Sequence, residues 1–290
     1  MENSALGGEA RSRLEADLRE RSGMGRAKLT TITYHGEKDD VVWTFSTFDV
    51  WDSTLTDSRF DESSPADPDG LVAAWQNYES TGWQLARQGA VRPVPECGEL
   101  HCLFGFDHPA LSGFRAQFDA DVPRNADQIA QILVRDPAWE HRAAAAFLLG
   151  HMTDAGAAVA GLLPGLSDPD ARVRNNVIRV LGQVLRHRPD VEAPIDVVLD
   201  ALVNLPTVTD RNKLLVLVAE LASRDRAIAT RAVARAGPEI LEGIRLSQPN
   251  NREPALAILT AVDGGIASPC ALAPWRRLVR RVARSWRPSP

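Results

Sequence analysis

Apolar residues in the second half of the chain recur at helical spacing, and they do so in register four times. Aligned on one arginine, the segments read HRAAAAFLLGHM (141–152), VRNNVIRVLGQV (173–184), DRNKLLVLVAEL (210–221) and NREPALAILTAV (251–262). The shared arginines are Arg142, Arg174, Arg211 and Arg252, spaced 174−142 = 32, 211−174 = 37 and 252−211 = 41 residues. Seven residues after each stands Leu149, Leu181, Val218 or Leu259, followed by a small residue, Gly150, Gly182, Ala219 or Thr260. A second apolar set precedes each copy: Ile129, Ile132 and Leu133; Val159, Leu162, Leu163 and Leu166; Ile195, Val198, Leu199 and Leu202; Ile228, Ala232 and Val233. Paired amphipathic helices at a period of roughly 30–45 residues predict a stacked helical solenoid, because neither helix of a pair can bury its stripe alone. In the junction LSDPDARVR (166–174), Asp168 is the expected helix cap and Pro169 fits the first turn. Pro238 is expected to divide the fourth outer region into two shorter helices.

The first half follows a different pattern. ARSRLEADLRERSG (10–23) has the charge of a solvated helix but few apolar positions with which to dock. LTTITY (29–34) and VVWTFSTF (41–48) alternate with β-rich composition and predict a hairpin. A loop rich in Asp, Ser and Pro then leads to a helix carrying Leu71, Val72, Trp75, Tyr78 and Leu85, with Asp69 as its expected cap. Asp107 and Pro109 announce a further short helix containing Leu111, Phe114 and Phe118. The chain therefore divides into a charged segment at 1–28, expected to lack fixed structure, an α/β cap region at 29–120, repeats at 121–265 and a basic amphipathic helix at 266–290.

DPDARVRNNVIRVLGQVL (168–185), with its Asp-Pro turn, Val-Arg entry and Leu-Gly exit, resembles the second helix of a HEAT repeat of the short bacterial, PBS-lyase-like type. The likeness extends over about 125–262; residues 1–120 resemble no such family. The resemblance implies a mainly α fold, an α-solenoid of about four HEAT-like repeats with a small mixed α/β N-terminal cap. It also implies that the aligned arginines form a structural ladder and that the second helices line a concave face. HEAT-like solenoids serve mostly as non-catalytic interaction scaffolds or adaptors, so a protein or peptide partner is expected on that face.

Positions one, two, five and nine places after each arginine point away from the apolar stripe and differ between copies. They supply the expected binding strip, Asn175, Asn176, Arg179 and Gln183 from the second copy and Asn212 and Lys213 from the third. The plainer alternative is a solvated helix face, since exposed polar residues need no explanation. In the first copy the same places hold Ala143, Ala144, Phe147 and His151, which would leave an apolar patch. Residues 29–120 are therefore expected to fold over it.

Cys97, His101, Cys102 and His108 form the densest set of donors, and two sulfurs with two imidazoles could hold zinc. The spacing is unlike a zinc finger, and buried structural residues or a local disulfide compete with a metal or thiol reading. Zinc is the one cofactor the sequence raises. Gly-x4-Gly-Lys and His-Glu-x2-His are absent, as is a dinucleotide fingerprint after a strand. A DNA glycosylase-like or metal-dependent HEAT enzyme stands as the alternative class.

Charge separates these readings further. The net charge is −5, from 33 basic and 38 acidic residues, but PWRRLVRRVARSWRPSP (274–290) holds six arginines and no acid. The remainder carries 33−6 = 27 basic residues against 38 acidic ones, or −11, which disfavours nucleic acid. Trp275, Leu278, Val279, Val282 and Trp286 give this tail an apolar stripe suited to an anionic membrane surface or to capping the last repeat. With three cysteines and neither an apolar leader nor a spanning segment, the expected location is the cytoplasm.

Overall fold

The computed structural model describes residues 8–22, 26–35, 42–51, 60, 63–93, 96–98, 100–205, 207–245 and 249–263. The chain is a mainly α solenoid. Its paired helices are α4 (Ala126–Arg135) with α5 (Trp139–Leu148), α6 (Ala155–Leu162) with α7 (Ala171–His187), α8 (Ile195–Asn204) with α9 (Val208–Arg224), and α10 (Arg226–Arg245) with α11 (Pro249–Asp263). The second helices α5, α7, α9 and α11 pack successively against one another to form one layer, and α4, α6, α8 and α10 form the other. Their facing stripes are the residues that the helical period selects: Ile129, Ile132 and Leu133 meet Leu148 and Leu149, while Val177, Leu181, Leu214 and Val218 continue the core. Ala236 has non-helical φ/ψ, so α10 bends there before resuming through Pro238.

The junctions differ from expectation in who does the capping. Asp170, not Asp168, is the N-cap of α7 and accepts from the amide of Arg172 at 2.8 Å. Asp168 is instead fully buried and serves the arginine ladder described below. Before α2 (Leu71–Arg87), Asp67 rather than Asp69 accepts from the amides of Val72 and Ala73 at 2.9 and 3.1 Å. Asp69 takes a left-handed φ of 51° in the preceding turn and accepts from Asn125. His108, not Asp107, caps α3 (Pro109–Asp121).

The solvated helix expected at 10–23 is α1 (Gly8–Ser22), whose Glu15 accepts from the amide of Leu29 at 2.9 Å. The hairpin pairs β1 (Arg26–His35) antiparallel with β2 (Val42–Trp51), from Arg26 opposite Trp51 to His35 opposite Val42. A second, minimal pair joins β3 (Glu96–Cys97) to β4 (Leu100–His101).

Helices α2 and α3 with the 100–106 segment cover the first repeat. Tyr78 is the centre of this cover: its ring stacks on Phe106 at 4.9 Å and meets Phe104, Phe114, Phe118 and Phe147 edgewise or tilted. Its hydroxyl donates to the Gly105 carbonyl at 3.3 Å and accepts from the amides of Leu103 and Phe104. Burial raises the Tyr78 pKa above its ordinary 10.0, so the phenol stays a donor. Gly82 lies where a Cβ would come within 2.0 Å of the Phe104 ring, so α2 can pack this closely only without a side chain there. Gly82→Ala should cost about 1–3 kcal/mol through overpacking, read as a lower urea midpoint. Gly182→Ala should be nearly neutral, because its Cβ would stand 3.8 Å from Leu217 in ordinary contact. An equal loss from both would mean that glycine acts at these two positions through the backbone instead.

Candidate functional site

Repeats are joined by two buried arginines. Arg142 grips Asp168 with two parallel bonds, Nε to Oδ2 at 2.7 Å and a terminal nitrogen to Oδ1 at 3.1 Å, and also donates to the carbonyls of Asp136 and Pro137. Arg174 repeats this one step along, donating to the carbonyls of Asp168 and Pro169 and reaching Asp210 at 2.7 Å. Asp210 is held in turn by the Thr207 cap, whose hydroxyl donates to Asp210 Oδ2 and accepts from the Asp210 amide at 3.2 Å, closing the first turn of α9. The ladder stops there. Arg211 is partly exposed and Arg252 is exposed, contrary to their expected structural role. The turns differ between copies. Asp136-Pro137 and Asp168-Pro169 each precede a buried arginine by six and five residues, but Leu205 occupies the matching place in the third copy. Asp210 therefore supplies, from within the helix, the carboxylate that the turn lacks.

The expected binding strip divides in two. Asn176 is buried and its amide donates to the Ala143 carbonyl at 3.0 Å, tying α7 to α5. Gln183 is also buried, donating to the Gly98 carbonyl at 2.9 Å and accepting from Arg186. Both are structural, which corrects their assignment as outward contacts: each sits beside the apolar stripe, where a neighbouring carbonyl is within reach. Asn175 is partly exposed, and Arg179 is exposed, with its Nε 3.1 Å from Asn175 Oδ1. Asn212 and Lys213 are partly exposed on α9, the lysine ammonium lying 3.3 Å from the Thr209 carbonyl.

Between α9 and α11 runs an open groove of about 390 Å³, lined by Asn212, Val216, Ala219, Glu253, Pro254 and Ala257. Its apolar lining comes from the column five places after the arginine, Val216 and Ala257, and from Ala219 of the small-residue column and Pro254. Val216 is 41% exposed, one of the few large apolar side chains left open to solvent. The strip expected to be polar and mildly basic is thus apolar along its middle. The columns could have revealed this, since their entries on α9 and α11 are valine and alanine. On α7 the same column carries Arg179, whose guanidinium is solvent-exposed yet desolvated by surrounding protein, which lowers its pKa.

The Cys/His cluster does not assemble as a metal site. Cys97 and Cys102 are joined in a disulfide, which consumes the two thiolates zinc would need. His108 uses Nδ1 to accept from the Ala110 amide at the start of α3, and His101 is buried against Phe147 with ring centroids 6.0 Å apart. No three His, Cys, Asp or Glu residues among those described are grouped to hold a metal ion. The thiol-catalysis reading falls with the same disulfide.

At the junction of cover and repeats, His151 is buried among Phe106, Phe118 and Phe147, and its Nδ1 lies 2.7 Å from Asp119 Oδ1. The bond to His151, more than any other influence, lowers the Asp119 pKa below 3.8. A carboxylate with a depressed folded pKa adds stability above its unfolded pKa and loses it as pH falls through the folded value. Asp119→Asn should therefore lower stability at neutral pH by less than about 1 kcal/mol, given its half-exposed carboxylate. Urea midpoints of variant and parent should converge well below pH 4; parallel curves down to pH 2 would refute the linkage.

A family model for HEAT repeats matches residues 126–212, from α4 into the first turn of α9. Over residues 126–212 the chain is similar to HEAT repeats. No family model matches the N-terminal region, and no curated protein matches the chain. The HEAT match ends at Asn212, the first residue of the groove lining, so most of the groove is built by the repeats beyond it. The basic segment 274–290, with its membrane or capping role, lies outside the described residues. Among those described, no helix is long and apolar enough to cross a membrane.

Proposed function

We propose that this protein is a non-catalytic interaction scaffold that holds a protein or peptide partner along its second-helix face, in the groove between α9 and α11. HEAT repeats form a helical scaffold often used for protein interaction, and the observation that carries the present reading is Val216. It stands open in a groove whose other walls are small or apolar, Ala219, Pro254 and Ala257, with Asn212 and Glu253 at the rim. An apolar floor with a polar rim is the anatomy of a protein-binding surface. Chemistry has little to work with there, because the lining offers one carboxylate and neither a nucleophile nor an imidazole. The acidic body favours a protein over a nucleic acid.

The test is a displayed random-peptide selection on the immobilised full-length protein, repeated on Val216→Glu. Placing a carboxylate on an already exposed site should leave the melting temperature within about 2 °C, since surface changes stay near ±0.5 kcal/mol. It should also remove the peptides that the parent enriches. Recovery of the same peptides by Val216→Glu would refute the groove as the binding site.

A further inference from the structure

The arginines of α7 are not equivalent. Arg172 pairs with Asp170, Arg174 with Asp210 and Arg186 with Glu220. Arg179 has no carboxylate within ion-pair distance among the described residues; its bond goes to the neutral amide of Asn175. Desolvation by the neighbouring protein lowers the pKa of its guanidinium. An exposed arginine with no carboxylate partner among the described residues can take an acid from elsewhere, a local exception in a body that carries −11 outside its last 17 residues.

Position adds the second requirement. Arg179, Val216 and Ala257 occupy one column, being 216−179 = 37 and 257−216 = 41 residues apart, in step with the shared arginines. Packed helices lie about 8–10 Å apart, so the cation on α7 stands roughly one helix spacing from the apolar floor at Val216. A second spacing reaches Ala257. A segment crossing the three helices thus meets a cation first and an apolar trough after it. Extended chain rises about 3.3 Å per residue, which places the complementary carboxylate about three residues from the first apolar anchor.

Resting on the groove reading above, we propose that the partner is an acidic–apolar peptide segment. An Asp or Glu pairs with Arg179 by two parallel hydrogen bonds, and an apolar side chain about three residues away seats on Val216, Ala219 and Ala257. Asn175 holds the guanidinium in place by accepting from its Nε at 3.1 Å. The rim residue Glu253 sets the polarity, so the acidic end of the segment lies over α7 and not over α11.

Four synthetic peptides separate the outcomes: an Asp-x-x-Leu segment, its Asp→Asn and Leu→Ser versions, and a reversed-order Leu-x-x-Asp control. Binding is measured by fluorescence anisotropy on the full-length protein and on Arg179→Gln and Val216→Glu. Asp→Asn should weaken binding on the order of tenfold, as loss of a charge-assisted bond does, and Arg179→Gln should abolish the preference of Asp over Asn without moving the melting temperature. If binding depends on Val216 but is indifferent to the Asp→Asn change or to Arg179, the groove stands and the acidic partner is wrong. If no peptide binds, or binding is indifferent to Val216→Glu, the groove reading itself is overturned. If a single-stranded oligonucleotide competes through Arg179 and the peptides do not, the anion belongs to a nucleic acid and the proposal fails.

Discussion

Replacing Asp168 with alanine should destabilise the protein by about 3–5 kcal/mol, among the largest effects of any single change. Asp168 is fully buried and takes both bonds of the Arg142 fork, while its own carbonyl accepts from Arg174 at 2.6 Å. Removing the carboxylate strands a guanidinium that is 3% exposed, and a buried charge left without a partner costs far more than the pair itself contributes. The carbonyls of Asp136 and Pro137 would remain to Arg142, so the loss should fall short of complete unfolding. A double replacement, Asp168→Leu with Arg142→Met, separates the pair's worth from the cost of breaking it. It should recover most of the stability, since well-packed apolar residues often equal a buried ion pair. Urea denaturation of the two single variants and the double completes the cycle. A single-variant loss below 1 kcal/mol would mean that solvent reaches this joint, and the ladder would then not tie the repeats together.

Phe147→Ala should cost about 3–5 kcal/mol and should loosen the N-terminal cover more than the distal repeats. Phe147 is 1% exposed and is wedged between Trp75 at 5.6 Å, Tyr78 at 5.9 Å, His101 at 6.0 Å and His151 at 5.9 Å between ring centroids. Those four residues come from α2, β4 and the turn after α5, so one ring joins the cover to the first repeat. Cavity creation at such a junction has no flexible neighbour to fill it, since the surrounding side chains are themselves ring systems. Hydrogen–deuterium exchange should show faster exchange across 71–121 while α9 and α11 stay protected. Uniform acceleration throughout would show that cover and repeats unfold as a single unit, and no acceleration in 71–121 would place the cover's stability elsewhere.

Several features of the molecule are legible in the amino-acid sequence by itself. The 3.6-residue period puts Ile129, Val177, Leu181, Leu214 and Val218 on buried stripes, because an apolar stripe on a helix has only one favourable place to go. The bend near Pro238 follows from the missing amide hydrogen of proline. The apolar first copy, Ala143, Ala144, Phe147 and His151, signals a covered face, and all four are buried. The β-rich runs at 29–34 and 41–48 likewise announce the hairpin. These are properties of single segments, decided by spacing and side-chain type.

What the chain does with its polar residues is decided by tertiary packing. Asn175 and Asn176 are identical neighbours on one helix, yet one stays partly open while the other is buried against the Ala143 carbonyl 33 residues away. Gln183 is structural only because Gly98, 85 residues earlier, brings its carbonyl to α7. Arg174 and Arg211 hold the same place in their repeats, but the first is buried, gripped by the Asp168 and Pro169 carbonyls and by Asp210, while the second stays partly exposed. The cysteines could have served metal, redox or core until the β3–β4 turn brought the two sulfurs together. The burial of an apolar side chain can be read from its own helix, since water repels it wherever the helix lies. The fate of a polar one depends on which partner the rest of the fold delivers, and that partner is fixed only when distant segments pack.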